Sequence, residues 1–157
     1  MNEKREQLNN RQNKARILIV DDHAIVREGL ALLINQEPDL VVCAKAENAD
    51  QALDAIGTLP VDLAIVDISL EGRNGLQLTE QIKSQYPHLP VLILTMHDEA
   101  LYAKRAFQAG ARGYITKHEA AETIIAAVRL MLDGKDYISE TMTQKFLKSI
   151  HSKGSHG

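Results

Sequence analysis

The chain has 157 residues, a formal net charge of −3 and one cysteine, Cys43. This length suits one domain that buries a sizeable core without cross-links. A lone cysteine cannot form an internal disulfide, and no apolar stretch approaches the length of a membrane span. The polar N-terminus does not resemble a secretory signal. We therefore expect a cytoplasmic protein with no membrane partner.

Charge is distributed unevenly along the chain. Residues 1–16 carry five basic and two acidic side chains, so the remainder is more acidic than the net charge suggests. An acidic surface is unsuited to nucleic acid, because binding there depends mainly on neutralising phosphates. We expect no nucleic-acid partner for this chain, and we interpret residues 1–15 as a flexible N-terminal extension.

Strand-like and helix-like patterns alternate through a main domain at 16–134. Apolar runs predict strands at 17–20, 40–44, 62–67, 91–95 and 112–116. The four runs other than 40–44 are typical of strands buried on both faces, and hence of a parallel sheet. The spacing of apolar residues predicts five helices. Four of them lie between His23 and Gln36, between Asn48 and Gly57, between Leu76 and Pro87, and between Asp98 and Gly110. The fifth carries Ile124, Val128 and Leu132 on one face. The alternation predicts an α/β fold, a three-layer flavodoxin-like (βα)5 parallel sheet. We expect the strand order 2-1-3-4-5, which places the first and third strands side by side.

The pattern changes after Gly134. Four apolar residues recur every four positions: Ile138, Met142, Phe146 and Ile150. With Ser139 as N-cap, this stripe predicts an extra C-terminal linker helix within 135–150. Its partner surface is the main domain, a second subunit or a domain outside this chain. Residues 151–157 are interpreted as a disordered tail.

The ends of four predicted strands carry residues suited to phosphate and metal chemistry. Asp21 and Asp22 follow the first strand, Asp67 ends the third, Thr95 ends the fourth and Lys117 follows the fifth. The carboxyl ends of the strands form the ligand edge of an open parallel sheet. We therefore expect three carboxylates, a hydroxyl and an ammonium to converge there.

Such a cluster has a defined chemistry. Closely packed carboxylates repel one another unless a cation neutralises them. Mg²⁺ is the expected cofactor, with Mn²⁺ as the alternative ion, because hard cations take carboxylate and phosphate oxygens. A central aspartate can also act as a nucleophile toward phosphorus, and a lysine and a hydroxyl can stabilise the transferred group.

At these residues the sequence resembles the receiver domain of bacterial two-component response regulators. The match runs from residue 16 to about residue 133 and includes Asp21-Asp22, Asp67, Thr95 and Lys117 in order. Three segments resemble sequence motifs of the subfamily whose members carry a LuxR/NarL/FixJ-type helix-turn-helix. They are Asp21-Asp22-His23, Leu94-Thr95-Met96-His97-Asp98-Glu99 and Ala109-Gly110-Ala111-Arg112-Gly113-Tyr114.

The resemblance implies a role for each site residue. Asp67 would accept a phosphoryl group from a sensor histidine kinase. Asp22, Asp67 and the backbone carbonyl of Ser69 would hold Mg²⁺, with Asp21 helping directly or through water. Lys117 would contact the phosphoryl oxygens, and Thr95 would move to donate to one.

The resemblance also bears on output. Tyr114 stands where the family has its aromatic switch, although an ordinary strand aromatic that packs on the fourth helix is the second interpretation. The chain would be no enzyme beyond its own phosphorylation and dephosphorylation, and a homodimer could form on phosphorylation. Output would be transcription through a C-terminal DNA-binding domain absent from this chain. The alternative is a stand-alone receiver that acts as a phosphorelay intermediate or a protein-binding adaptor.

Two other phosphate-handling classes are disfavoured by single positions. A haloacid-dehalogenase-type phosphatase needs a second aspartate two residues after its nucleophile, where this chain has Ser69. A nucleotide- or flavin-binding protein of similar architecture needs a glycine-rich or hydroxyl-rich loop after the first strand. The acidic pair Asp21-Asp22 stands there instead.

Overall fold

The computed structural model describes residues 13–69, 74–96, 100–139, 142–145 and 147–148. Within these residues, six strands form one sheet: Ala15–Val20 (β1), Leu40–Ala46 (β2), Leu63–Asp67 (β3), Val91–Thr95 (β4), Gly113–Thr116 (β5) and Tyr137–Ile138 (β6). Five helices alternate with them: Ala24–Asn35 (α1), Ala49–Thr58 (α2), Gly75–Gln85 (α3), Ala100–Ala109 (α4) and Ala120–Leu132 (α5).

The strand order is β2-β1-β3-β4-β5-β6, and every neighbouring pair is parallel. This order confirms the predicted flavodoxin-like arrangement 2-1-3-4-5 and adds a sixth strand that the sequence analysis placed in the linker. The register pairs Val20 with Val66 and Asp67 with Leu94. The carboxyl ends of β1, β3 and β4 therefore lie side by side.

Two apolar layers cover the sheet, because alternate strand residues point to opposite faces. Leu18 and Val20 face a core shared with α2, α3 and α4, whereas Ile17 and Ile19 face a core shared with α1 and α5. These four side chains are fully buried. Both faces of β1 are thus apolar, as its unbroken β-branched run predicted.

Short polar signals set several helix starts. The Asn48 and Asn74 side chains accept hydrogen bonds from the Gln51 and Gln77 N–H groups at 2.9 and 2.8 Å, which caps α2 and α3. Asp98, the predicted cap of α4, lies outside the described residues. No helix in the described part of the chain is long and apolar enough to cross a membrane.

The edge strand β2 is only partly buried, and its two end residues, Leu40 and Ala46, are its only fully buried residues. Cys43 is half-buried there, and its thiol lies 3.5 Å from the Ile17 carbonyl oxygen. Burial raises the pKa of the Cys43 thiol. The residue is a poor nucleophile for this reason, in agreement with a packing role.

The chain after α5 returns to the sheet before it becomes helical. Ile138 in β6 pairs with Tyr114 in β5. The Ser139 hydroxyl accepts a hydrogen bond from the Met142 N–H at 3.2 Å, and residues 142–145 are helical. The Met142 side chain is 2% exposed and belongs to the core that α2, α3 and α4 share with the sheet. The predicted Phe146 and Ile150 contacts, and the tail at 151–157, fall outside the described residues.

One glycine controls how closely α3 approaches the end of β3. A Cβ atom on Gly75 would overlap the Asp67 carbonyl oxygen and lie 2.7 Å from the Ile68 Cα. The Gly75 N–H donates to the Ile68 carbonyl at 2.9 Å. A side chain here would push the helix away from the strand that carries Asp67.

We therefore predict that Gly75→Ala lowers the free energy of unfolding by about 2 kcal/mol, because the overlap is with rigid backbone. The matched control is Gly29→Ala in α1, where an added Cβ meets no described atom within 4 Å. That control should raise stability by about 0.5–1 kcal/mol through helix propensity. Urea denaturation of both variants measures the difference, and equal midpoints would contradict the close-approach argument.

Candidate functional site

Three of the predicted site residues meet at the carboxyl edge of the sheet. Asp21 follows β1, Asp67 ends β3 and Lys117 follows β5. The Lys117 Nζ lies 3.2 Å from Asp67 Oδ2 and 3.6 Å from Asp21 Oδ2. Both carboxylate side chains are only 1% exposed. The site therefore holds two buried acids that share one ammonium.

Asp67 occupies the centre of this cluster. The Ser69 N–H donates to its Oδ1 at 3.1 Å, while Lys117 donates to its Oδ2. Burial raises the pKa of Asp67, and the negative charge of Asp21 adds to that rise. The Ser69 N–H and Lys117 oppose it, but the net direction is upward. The folded protein therefore disfavours the charged form of this carboxyl unless further positive charge arrives.

Asp22 lies at the rim, with its side chain 21% exposed. The next residue, His23, places its Nδ1 atom 3.0 Å from Asp22 Oδ1 and 3.2 Å from Asp21 Oδ1. The same atom is 3.8 Å from Asp67 Oδ2. The sequence analysis gave His23 no role. The sequence signal for His23 was its position directly after the acidic pair. In the structure, the His23 backbone N–H also donates to Asp21 Oδ1 at 2.8 Å, which holds the residue beside the cluster.

A second residue missed from the sequence braces the same loop. The Arg27 guanidinium donates to the Asp21 backbone carbonyl at 2.8 Å and lies 3.5 Å from a Glu47 carboxylate oxygen. Arg27 is one helical turn after His23 in α1. Helical spacing alone identified the apolar face of α1 but could not show that this arginine reaches back to the strand end.

The acidic residues fit a divalent cation. Two buried oxygens, Asp21 Oδ2 and Asp22 Oδ1, have no hydrogen-bond partner among the described residues. One ligand atom each from Asp21, Asp22, His23 and Asp67 lies within 4.8 Å of the others. Lys117 and His23 approach these oxygens without forming a hydrogen bond to them. Buried carboxylate oxygens that make no hydrogen bond are costly, and a cation would relieve that cost. Hard oxygen donors of this kind suit Mg²⁺ or Mn²⁺.

The two predicted switch residues, Thr95 and Tyr114, are both buried. Thr95 ends β4 with a fully buried side chain, and its carbonyl accepts from the Lys117 N–H at 2.7 Å. Tyr114 is 1% exposed and shares a core with Ala103 and Ala106 of α4. This position is compatible with either interpretation of Tyr114, so the switch roles of both residues stay predictions. The same holds for the Ser69 carbonyl as a ligand.

Comparison with known proteins decides which family uses this arrangement. The family model described as "Response regulator receiver domain" matches residues 17–129, most of the chain and all of the site. The chain belongs to this receiver family. Receiver domains are signalling modules rather than conventional enzymes.

Relatives of this receiver include whole regulators. It is 33% identical to the transcriptional regulatory protein DegU of Brevibacillus brevis over 91% of this chain and 60% of that protein. It is 36% identical to the Fimbriae Z protein of Salmonella typhimurium over 90% of this chain and 68% of that protein. The receiver thus spans about two thirds or less of the length of these relatives.

A solved structure supports both the family and the fold. A two-component response regulator of the LuxR family from Aurantimonas sp. superposes with a TM-score of 0.81 at 36% identity. The match covers 87% of this receiver and 97% of that chain. The resemblance noted from the strand-end residues is confirmed at the level of family and fold.

The raised pKa of Asp67 predicts a pH-dependent stability without added metal. An acid whose pKa is higher in the folded than in the unfolded chain stabilises the fold at pH below its unfolded pKa. That stabilisation is lost as the pH rises through the folded pKa. We expect Asp67→Asn in EDTA at pH 7 to raise the free energy of unfolding by about 1 kcal/mol.

The gain should shrink as the pH falls and wild-type Asp67 becomes protonated. Asp54→Asn in α2 is the matched control, since Asp54 is exposed and distant from the site. The comparison is made by urea denaturation from about pH 3.5, just below the ordinary pKa of an aspartate, to about pH 8, far above it. An Asp67→Asn effect that does not change with pH would show that charge burial is not its cause.

Proposed function

We propose that this receiver accepts a phosphoryl group on Asp67 from a sensor histidine kinase in a Mg²⁺-dependent reaction. One observation carries the proposal: a buried aspartate at the sheet edge lies 3.2 Å from a lysine ammonium and within 4.8 Å of two further acids. A nucleophilic carboxylate needs such a combination of counter-charges, because the phosphoryl group brings more negative charge into the same space.

The transfer itself requires one bond exchange. A carboxylate oxygen of Asp67 attacks the phosphorus of a phosphohistidine, an O–P bond forms and the P–N bond breaks. The electron pair leaves with the imidazole of the kinase, which then takes a proton from solvent. Lys117 holds the Asp67 carboxylate beforehand and then contacts a phosphoryl oxygen, while Thr95 donates its hydroxyl to another.

The metal ligands in this proposal are Asp22, Asp67 and the Ser69 backbone carbonyl, with Asp21 acting directly or through water. The Asp21 and Asp22 oxygens that make no hydrogen bond within the described residues support this assignment. A bound Mg²⁺ or Mn²⁺ ion would neutralise charge on the phosphoryl oxygens during transfer. Asp21 and Asp67 are too close and too buried to remain doubly charged at low cost without such an ion.

The C-terminal segment offers a route from the site to an output. Tyr114 in β5 pairs with Ile138 in β6, and Met142 lies in the same apolar core as Tyr114. We infer that phosphorylation biases a two-state equilibrium at Thr95 and Tyr114, which repositions the segment that follows β6. Transcription through a C-terminal DNA-binding domain is the output that DegU and the LuxR-family relative favour.

The phosphoacceptor assignment predicts a clear labelling result. With radioactive acetyl phosphate and Mg²⁺, the wild-type protein should form a hydroxylamine-sensitive acyl phosphate. Asp67→Asn should lower the incorporated label at least about 100-fold, because the nucleophile is removed. EDTA should abolish wild-type labelling, whereas the exposed control Asp54→Asn should label normally.

Normal labelling of Asp67→Asn would show that another residue is the acceptor. Labelling that EDTA leaves unchanged would show that transfer needs no divalent cation. Circular dichroism of each variant establishes that it is folded before the comparison is made.

The proposed route to the output predicts a specific role for Met142. Met142→Ala should weaken the packing of β6 and residues 142–145 on the domain by about 2 kcal/mol, since the Met142 side chain is buried. Amide exchange of Tyr137–Ile138 should then accelerate by up to about 30-fold. Leu147→Ala is the matched control, because Leu147 is half exposed and should leave exchange unchanged.

Beryllofluoride with Mg²⁺, a mimic of the phosphorylated state, should change exchange in the same segment of the wild-type protein. Unchanged exchange in Met142→Ala would show that the residue does not hold the segment. Unchanged exchange with beryllofluoride would show that the site and the segment are not coupled.

A further inference from the structure

The imidazole of His23 occupies a position that the phosphoacceptor role does not require. Its Nδ1 atom faces Asp22 Oδ1 at 3.0 Å, Asp21 Oδ1 at 3.2 Å and Asp67 Oδ2 at 3.8 Å. Lys117 approaches Asp21 and Asp67 through their Oδ2 atoms. The ring therefore contributes a nitrogen to the same cluster that holds two carboxylate oxygens without a hydrogen bond in the described structure.

Local backbone structure holds the ring in this place. His23 is the N-cap of α1, with φ −93° and ψ 109°, yet its side chain makes no capping hydrogen bond in the described structure. The His23 backbone N–H is held by Asp21 Oδ1 at 2.8 Å, and its carbonyl accepts from the Arg27 N–H at 3.0 Å. Both main-chain groups are thus engaged, and the side chain points to the acids rather than to the helix.

The separations suit adjacent ligands of one ion. Neighbouring ligands of an octahedral ion with metal–ligand distances of about 2.1 Å lie about 3.0 Å apart. The distances from Nδ1 to Asp22 and Asp21 are close to that value. Within the described residues, Nδ1 is within hydrogen-bond distance of Asp21 Oδ1. Asp22 Oδ1 faces the ring without a hydrogen bond, and the buried Asp21 Oδ2 has only the Lys117 ammonium nearby, at 3.6 Å.

A nitrogen donor changes which ions a site prefers. Mg²⁺ takes oxygen ligands and gains little from imidazole, whereas Mn²⁺ and Co²⁺ accept imidazole readily and Co²⁺ binds mixed nitrogen and oxygen sites more tightly. The tautomer of His23 with its proton on Nε2 presents a lone pair on Nδ1. The His23 side chain is 62% exposed, so its outer edge can keep that proton in contact with solvent.

We propose that His23 is a metal ligand that shifts the preference of this receiver site from Mg²⁺ toward transition-metal ions such as Co²⁺ and Mn²⁺. The inference rests on the metal site of the proposed function and specifies its selectivity. The opposing arrangement is a ring that acts only as a positive counter-charge in the cation's place. Loss of His23 would then strengthen binding of every divalent ion.

Calorimetric titration of the untagged full chain with Mg²⁺ and, separately, with Co²⁺ distinguishes these arrangements. We expect His23→Ala to weaken Co²⁺ binding by at least about tenfold and to change the Mg²⁺ dissociation constant by less than about threefold. His23→Asn, which offers an oxygen at a similar reach, should retain Mg²⁺ binding and lose the Co²⁺ preference. His88→Ala is the control, since His88 is exposed and follows α3 at the opposite end of the sheet.

Pulsed electron paramagnetic resonance gives a direct readout of ligation. The Mn²⁺ complex should show nitrogen coupling in the wild-type protein and in His88→Ala, and that coupling should disappear in His23→Ala. Equal losses for Co²⁺ and Mg²⁺, tighter binding of both ions, or coupling that persists without His23 would each overturn the proposal.

The labelling of Asp67 keeps this result separate from the proposed function. If the wild-type protein takes no label from acetyl phosphate but the Co²⁺ preference and the nitrogen coupling depend on His23, the phosphoacceptor proposal fails and the ligand proposal holds. If the wild-type protein is labelled normally and the metal preference is unchanged in His23→Ala, the phosphoacceptor proposal holds and the ligand proposal fails. Urea denaturation of His23→Ala establishes that the variant is folded.

Discussion

The repulsion between two buried carboxylates, Asp21 and Asp67, is the constraint on which the site depends. Both side chains are almost fully buried, and Lys117 contacts both of them. One ammonium cannot neutralise this pair together with Asp22, and two buried carboxylate oxygens make no hydrogen bond within the described residues. A divalent cation would relieve that repulsion, and the phosphoryl group of the proposed reaction would add further negative charge to the same space.

The sheet holds the acids together against this repulsion. Parallel pairing of β1 with β3, with Val20 opposite Val66, brings the two strand ends to the same level. Apolar layers on both faces oppose any separation of these strands. Gly75 allows α3 to approach the Asp67 backbone closely. Packing throughout the domain therefore offsets the electrostatic cost of holding Asp21 and Asp67 together at the edge of the sheet.

The same sheet connects the site to the far end of the chain. Tyr114 lies between the site edge and β6, and Met142 lies in the core that surrounds Tyr114. These packed contacts are the route along which the proposed switch would act on the C-terminal segment. His23 and Arg27 both hydrogen-bond to Asp21, His23 to its carboxylate and Arg27 to its backbone carbonyl. In the ligand role proposed for His23, the ion preference would depend on this ring as well as on the three acids.

The sequence by itself determined the elements and the residue types at their ends. Apolar runs predicted five strands, and Asp21, Asp67 and Lys117 were assigned to one edge because parallel strand ends must converge. Tertiary structure decided the rest, because it depends on partners distant in the chain. The two residues of β6 are too few for a periodic pattern, and only their pairing with β5 makes them a strand. The partner of Met142 and the direction of the His23 ring were decided in the same way, by neighbouring elements that local spacing does not specify.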